Sequence, residues 1–272
     1  MTRWVPQDAS LLPRTLTALV ALPLLLLAVW AGAWWLTLMV VAAALLGLRE
    51  FYALGAGAGA RPVLSFGLLW TASLVVAGSA YGQGVALLVM VVGALGALLW
   101  VLARRDRQDA FSAWAFTVAG PVYLGITLLH AVFLRQDYGV AWLLLALLAT
   151  FATDTSAYFV GRSIGRHRMA PSISPGKTWE GAAGGLVGAV AAAVALGILL
   201  HLEMAWWWVA VLGAGIGVVA QLGDLSESML KRGAQAKEAG HLIPGHGGVL
   251  DRVDSLVFTM VLVYYVLRGV LS

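Results

Sequence analysis

Nine apolar runs of near membrane-spanning length follow one another along this chain, close to residues 15–31, 33–48, 63–80, 84–103, 112–134, 139–158, 181–200, 205–222 and 250–268. A helix needs about 17 to 25 such residues to cross roughly 30 Å of hydrocarbon. Charged residues make up only 11% of the 272, against about 25% in ordinary globular chains, so no polar shell is available to face water. The apolar content of 61%, with 32 glycines besides and twelve tryptophans, also excludes a disordered segment. The expected fold is therefore an all-α polytopic membrane protein of about nine transmembrane helices, forming a single integral membrane domain over residues 1–272. The longest gaps, 159–180 and 223–249, are too short for a soluble domain and unusually polar for this chain.

Orientation follows from the basic residues. With the N-terminus cytoplasmic and nine spans, fifteen of the 17 Lys and Arg fall on the inner side and only Arg135 and Arg268 on the outer. The C-terminus is then outside. Trp30, Trp34, Trp35 and Trp206, Trp207, Trp208 fall at the outer interface, where indole rings settle. Arg3 and Arg14 before an apolar run ending in Ala31-Gly32-Ala33 resemble a signal peptide, but the run is long and a second span follows at once, so an uncleaved first helix is expected. The small-residue run 181–198 reads as a packing helix. The formal charge of +4 tracks orientation or an anionic ligand, because no Lys/Arg stripe is interleaved with aromatics as a nucleic-acid surface would require.

With no cysteine, thiolate catalysis, disulfides and cysteine-ligated metals are excluded. Acidic residues are scarce, and eight of the thirteen lie in the last 120 residues. Residues 1–135 accordingly read as scaffold helices and 139–272 as the catalytic helices with their cytoplasmic loops. Asp154, Asp224 and Asp251 all reach the inner ends of their spans, and an ionisable group there costs at least about 2.5 kcal/mol unless it has a function. If the eighth span continues inward as helix, Asp224, Ser228 and Lys231 share one stripe, with Arg232 a step around. Asp251 and Asp254 repeat the pattern three residues apart. Such carboxylate and hydroxyl oxygens suit Mg²⁺ and not a soft metal.

Ahead of Asp251, the glycines of Pro244-Gly245-His246-Gly247-Gly248 allow backbone N–H groups to approach an anion, phosphate being the natural guest. His241 and His246 do not read as a zinc pair, with a proline between them and no cysteine. In the other polar loop, Gly176-Lys177-Thr178 invites a P-loop reading, but Pro171 stands where the first glycine belongs and no strand is expected before it. What remains is a basic, hydroxyl-rich segment entering a helix near Trp179, and helix N-termini bind anions.

The 27-residue run Ser228 to Asp254, with Lys231-Arg232, Lys237 and Ile243-Pro244-Gly245-His246-Gly247-Gly248-Val249-Leu250-Asp251-Arg252-Val253-Asp254, closely resembles the signature of the phosphatidate cytidylyltransferases, or CDP-diacylglycerol synthases. Asp154-Thr155-Ser156-Ala157-Tyr158 and Ser174-Pro175-Gly176-Lys177-Thr178-Trp179-Glu180-Gly181 are similar to that family too. Glu238 departs from the pattern, which has Asp there, so no role is carried over to it. The resemblance implies Mg²⁺-dependent transfer of CMP from CTP to phosphatidate with release of pyrophosphate, and metal ligands at Asp224 and Asp251, a second cation being open.

The residues suit two polyanions meeting at the cytoplasmic membrane face. Lys231, Arg232 and Lys177 would neutralise phosphate charge, His246 would contact phosphate, and Asp254 would orient a base, a hydroxyl or a second cation. Ser174, Thr178, Ser228, Gly247, Gly248 and Asp154 complete the expected substrate contacts. No general base is required, since a phosphate monoester with a second pKa near 6 is already mostly dianionic at neutral pH. The partners expected are CTP, phosphatidate and the lipid bilayer, with no nucleic acid and a homodimer left open. A bacterial inner membrane, with the site toward the cytoplasm, is the expected location. Two other classes stay open: a transporter of an anionic solute, whose site belongs near the midplane between repeats, and a CTP-dependent lipid kinase.

Overall fold

The computed structural model describes residues 23–104, 109–240, 242 and 247–271. A helical stretch over 23–31, α1, leads into α2 (Ala33–Gly57), α3 (Leu64–Tyr81) and α4 (Gln83–Leu102). Then come α5 (Ala110–Gly120), a π-helical segment over Pro121–Ile126 and α6 (Thr127–Asp137), which together make one span of 28 residues. The C-terminal half holds α7 (Val140–Ile164), a hairpin of β1 (Arg168–Ala170) and β2 (Ser174–Thr178), then α8 (Trp179–Leu199), α9 (Trp206–Gly233) and α10 (Leu250–Leu271). Eight spans in the described residues are long and apolar enough to cross a membrane. The first expected span, 15–31, falls partly outside the described residues, α1 being its visible end.

Short connections alternate with polar ones, and side-chain contacts sort them into two ends. At one end the described residues of the connections after α2, α4, α7 and α9 gather, joined by Arg104 Nη1 to Arg61 O (3.2 Å) and Arg232 Nε to Ile173 O (3.1 Å). At the other, Gln136 Nε2 donates to Ser79 O (3.0 Å), Arg135 Nε to Val29 O (3.1 Å) and Tyr264 Oη to Asp137 Oδ2 (2.7 Å). The connections here are tight, and Gly82 and Gly139 make them with positive φ of 84° and 92°, conformations that cost a residue with Cβ dearly.

Helices α7, α8 and α9 pack through small residues. A Cβ on Gly181 would stand 2.9 Å from Ala157 O and one on Gly185 3.1 Å from Thr153 O, while Gly217 lies against Ala189 and Leu186. Where lipid tails are as apolar as leucine, close backbone approach of this kind holds helices together. The 181–198 stretch is thus a packing helix, as its composition suggests. The main core lies between α2, the π segment, α6, α7 and α10, where Leu48, Leu124, Leu129, Leu143 and Met260 are fully or almost fully buried.

Three features depart from the sequence reading. Helices α2, α7 and α9 run past their expected ends at 48, 158 and 222 to Gly57, Ile164 and Gly233, because polar residues on one face do not stop a helix whose other face stays packed. A strand does precede Gly176: Arg168 pairs with Thr178 and Ala170 with Ser174 in an antiparallel hairpin. Gly176-Lys177-Thr178 is therefore itself part of a strand and forms no phosphate-wrapping loop. Finally, the fifth span carries a π-helical turn starting at Pro121, whose missing N–H removes one helical hydrogen bond.

Candidate active site

The extension of α9 brings the predicted stripe together. Ser228 Oγ faces Asp224 Oδ1 at 3.4 Å, and Lys231 lies one turn further along the same face. Asp224 Oδ2 meets Lys177 Nζ of β2 at 2.7 Å, an ion pair that pins the hairpin to α9. Thr178, the last residue of β2, caps α8 by accepting the Gly181 N–H at 3.1 Å, which fixes where that helix starts. Glu180 then reaches back to the Arg166 and His167 N–H groups and closes the connection.

These elements enclose a cavity of about 700 Å³. Asp154, Arg162, Arg168, Ser174, Lys177 and Asp224 supply its polar wall, with Ala157, Tyr158 and Gly181 beside them. Three cations over two carboxylates and hydroxyls make a site for a phosphorylated ligand. Its lower wall is membrane-spanning helix.

A second cluster adjoins it further along the same face of α9. Lys231 Nζ stands 2.6 Å from both Glu227 Oε2 and Asp251 Oδ1, so one ammonium serves two carboxylates. Glu227 is fully buried. Asp251 Oδ2 accepts the N–H groups of Ala239 (3.1 Å) and Gly248 (2.9 Å), holding both ends of the signature loop. Gly247, with φ of +79°, turns the chain beside that carboxylate. Asp254 links the two clusters, its charge lying within range of Asp224, Glu227 and Asp154. A Cβ on Gly223 would run into the Asp254 carbonyl, so this glycine is what lets α9 and α10 approach here.

The structure thus gathers Asp154, Ser174, Lys177, Thr178 and Asp224 at the cavity, and Ser228, Lys231, Gly247, Gly248 and Asp251 in the adjoining cluster, with Asp254 between. Arg232 stands apart: it is exposed and donates to the carbonyls of Ile173 and Ala236, tying the hairpin to the turn after α9. His246 lies outside the described residues, as do His241 and Pro244.

Sequence reasoning missed several contributors. Arg162, Arg168 and Gln221 line the cavity, and Gln221 donates to Ala182 O at 3.2 Å. Glu227 was legible as the partner four residues before Lys231. Two come from the half read as scaffold. The Tyr123 hydroxyl, set by the π-helical turn, is buried without a hydrogen-bond partner among the described residues, near Asp254, Glu227 and Asp224. Glu50 reaches the start of α10, with Leu250 N at 2.7 Å; one more helical turn on the second span would have flagged it as an intramembrane acid.

The donor set suits a hard cation. Its ligating atoms are carboxylate and hydroxyl oxygens, while among the described residues no group of three or more His, Cys, Asp or Glu is arranged as a metal cage. Mg²⁺ needs no such cage, since it is commonly held by one or two carboxylates together with substrate phosphates and water.

The model of the cytidylyltransferase family matches residues 12–270. The phosphatidate cytidylyltransferase of Brucella abortus biovar 1 is 37% identical over 264 residues, covering 94% of this chain and 93% of its own. That of Staphylococcus epidermidis is 31% identical over 257 residues, or 91% and 95% of the two chains, and that of Bacillus subtilis 34% over 187, or 68% and 70%. The match runs through every element that builds the cavity and the Lys231 cluster, and the chain belongs to the cytidylyltransferase family.

Proposed function

We propose that this integral membrane protein transfers the cytidylyl group of CTP to phosphatidate, giving CDP-diacylglycerol and pyrophosphate. The observation that carries the reading is the cavity walled by Arg162, Arg168, Lys177 and Asp224 at the polar end of membrane helices, where a lipid-borne phosphate and a soluble triphosphate can meet three cations. A phosphatidate phosphate oxygen attacks the α-phosphorus of CTP, the bond from that phosphorus to the bridging oxygen breaks, and pyrophosphate leaves. The attacking oxygen is already charged, so no side chain has to remove a proton from it.

Lys177, Arg162 and Arg168 neutralise phosphate charge at the cavity, and Lys231 does so one turn further along the same face of α9. Thr178 and Ser174 offer hydroxyl donors, and Gly247 and Gly248 their backbone N–H groups. His246 contacts phosphate and Arg232 steadies the hairpin over the cavity. Asp224 and Asp251 would hold Mg²⁺, with Asp254 placed to orient a second cation. Held there, the metal would supply positive charge to offset what gathers on the leaving pyrophosphate. The membrane is the inner membrane of a bacterium, with the polar end of the bundle toward the cytoplasm, and a homodimer is compatible with this site.

Purified protein in detergent, given phosphatidate, Mg²⁺ and CTP labelled at the α-phosphate, tests the reading. Label in the lipid product is the expected outcome. In a parallel assay with CTP labelled at the γ-phosphate, label appearing in lipid from that position and not from the α-position would mean a lipid kinase and overturn it, as would no turnover at all.

A further inference from the structure

Glu50 is a buried carboxylate, 5% exposed, on a helix otherwise given to packing. Its two oxygens accept the N–H groups of Val249 (3.1 Å) and Leu250 (2.7 Å), nearly 200 residues away in sequence and at the first turn of α10. Those N–H groups have no partner within their own helix, and a carboxylate there is favoured by both the hydrogen bonds and the helix dipole. The same carboxylate fills the space where Gly240 and Gly248 lack side chains: a Cβ on Gly248 would stand 2.5 Å from its Oε2, and one on Gly240 would press on its Oε1. Both glycines flank the loop whose ends Asp251 also ties, through Ala239 N and Gly248 N.

We infer that Glu50 is a positioning residue for the reaction: from the N-terminal half of the chain, it fixes Gly240, Gly248 and the start of α10, so that the Gly247–Gly248 backbone, Asp251 and Lys231 meet substrate phosphate in one arrangement. The geometry separates this from a stabilising role elsewhere in the core. Its acceptors are spent on Val249 and Leu250 alone among the hydrogen bonds described for it, and a Cβ on either of the two glycines it abuts would crowd its carboxylate. The inference rests on the cytidylyl-transfer reading.

Glu50→Gln keeps the volume but turns one acceptor into an NH₂ group, which cannot receive an N–H. Wild-type and variant proteins are purified in detergent and assayed for CTP–phosphatidate transfer with each substrate varied in turn. Misplaced loop groups change substrate binding as well as turnover, so the expected result is a kcat lower by about tenfold with the KM of at least one substrate raised by about threefold or more. A purely structural role would reduce the active fraction, which lowers apparent kcat and leaves both KM values alone. Should Glu50→Gln fail to accumulate in membranes, Gly240→Ala strains the same contact from the loop side, and the same KM criterion applies. Wild-type turnover with both KM values unchanged in the variant overturns the inference by itself. A wild-type protein without turnover removes the cytidylyl-transfer reading, and the inference with it.

Discussion

At the residue scale, the informative contrast is between the two aspartates expected to hold metal. Asp224 is 36% exposed at its side chain and meets one lysine at the cavity wall, whereas Asp251 is 9% exposed and also accepts two backbone N–H groups. Asp224→Asn should therefore abolish cytidylyl transfer while leaving thermal unfolding of the purified protein unchanged. Asp251→Asn should lose transfer and lower the melting temperature as well. Equal melting losses in the two variants would contradict this division. Lys231 makes the stronger case. Replacing it by Met leaves Glu227 and Asp251 facing each other in a dry cluster, and breaking a buried pair in this way costs about 3–5 kcal/mol. Lys231→Met should therefore melt well below wild type, and adding Glu227→Gln, which removes one of the stranded charges, should recover part of the loss. No melting loss in Lys231→Met would mean that the ammonium is held for binding and not for stability, and a loss that Glu227→Gln does not recover would mean that the stranded Glu227 charge is not its cause.

At the element scale, the helices were legible and their joints were not. Apolar runs locate α2 to α10 within a few residues at their ends away from the cavity, because lipid imposes a length on each span. The cavity ends of α2, α7 and α9 escaped, since there polar site residues such as Glu50, Asp224 and Lys231 hold the helices together. The hairpin escaped for a related reason: β1 and β2 are three and five residues long, carry no alternation, and depend on Lys177 reaching Asp224 and on Thr178 starting α8. The stripe Asp224, Ser228, Lys231 was legible because helical spacing alone brings it onto one face. Its neighbours on α2 and the π segment lie 100 to 200 residues away in sequence, and no local pattern announces them. The packing of α9 on α10 gives a test at this scale. A methyl group on Gly223 would meet the Asp254 carbonyl, while one on Gly233 meets nothing within 4 Å. Gly223→Ala should separate the two helices and cut transfer by about tenfold or more, since small displacements of positioned groups are costly to rate. Gly233→Ala should keep transfer within about twofold of wild type. Similar activities in the two variants would show that the close approach of α9 and α10 does not matter to the site.

At the scale of the whole molecule, everything rests on the two ends of the bundle lying on opposite sides of the membrane. The fold supplies the partition: Arg232 and Ile173 meet at one end, Gln136 and Ser79 at the other. Charge then argues for which end is cytoplasmic, because among the described residues eleven of the 13 basic ones belong to the end that carries the cavity. The absence of cysteine makes the test direct. Glycines in the loops are poor places for a probe, since a side chain on Gly165 would strike the Gly161 carbonyl and one on Gly240 would strike Glu50. Exposed positions serve better: Arg166 and Lys237 at the cavity end, and Gln136 at the other. In intact cells, a membrane-impermeant maleimide should label Gln136→Cys and spare Arg166→Cys and Lys237→Cys; in inverted membrane vesicles the pattern should reverse. Labelling of Arg166→Cys and Lys237→Cys from opposite faces would break the cavity and the signature loop into two compartments. A lipid phosphate and a cytoplasmic triphosphate could then not meet between them, and the single-site reaction would fail on topology alone, whatever the chemistry of its residues.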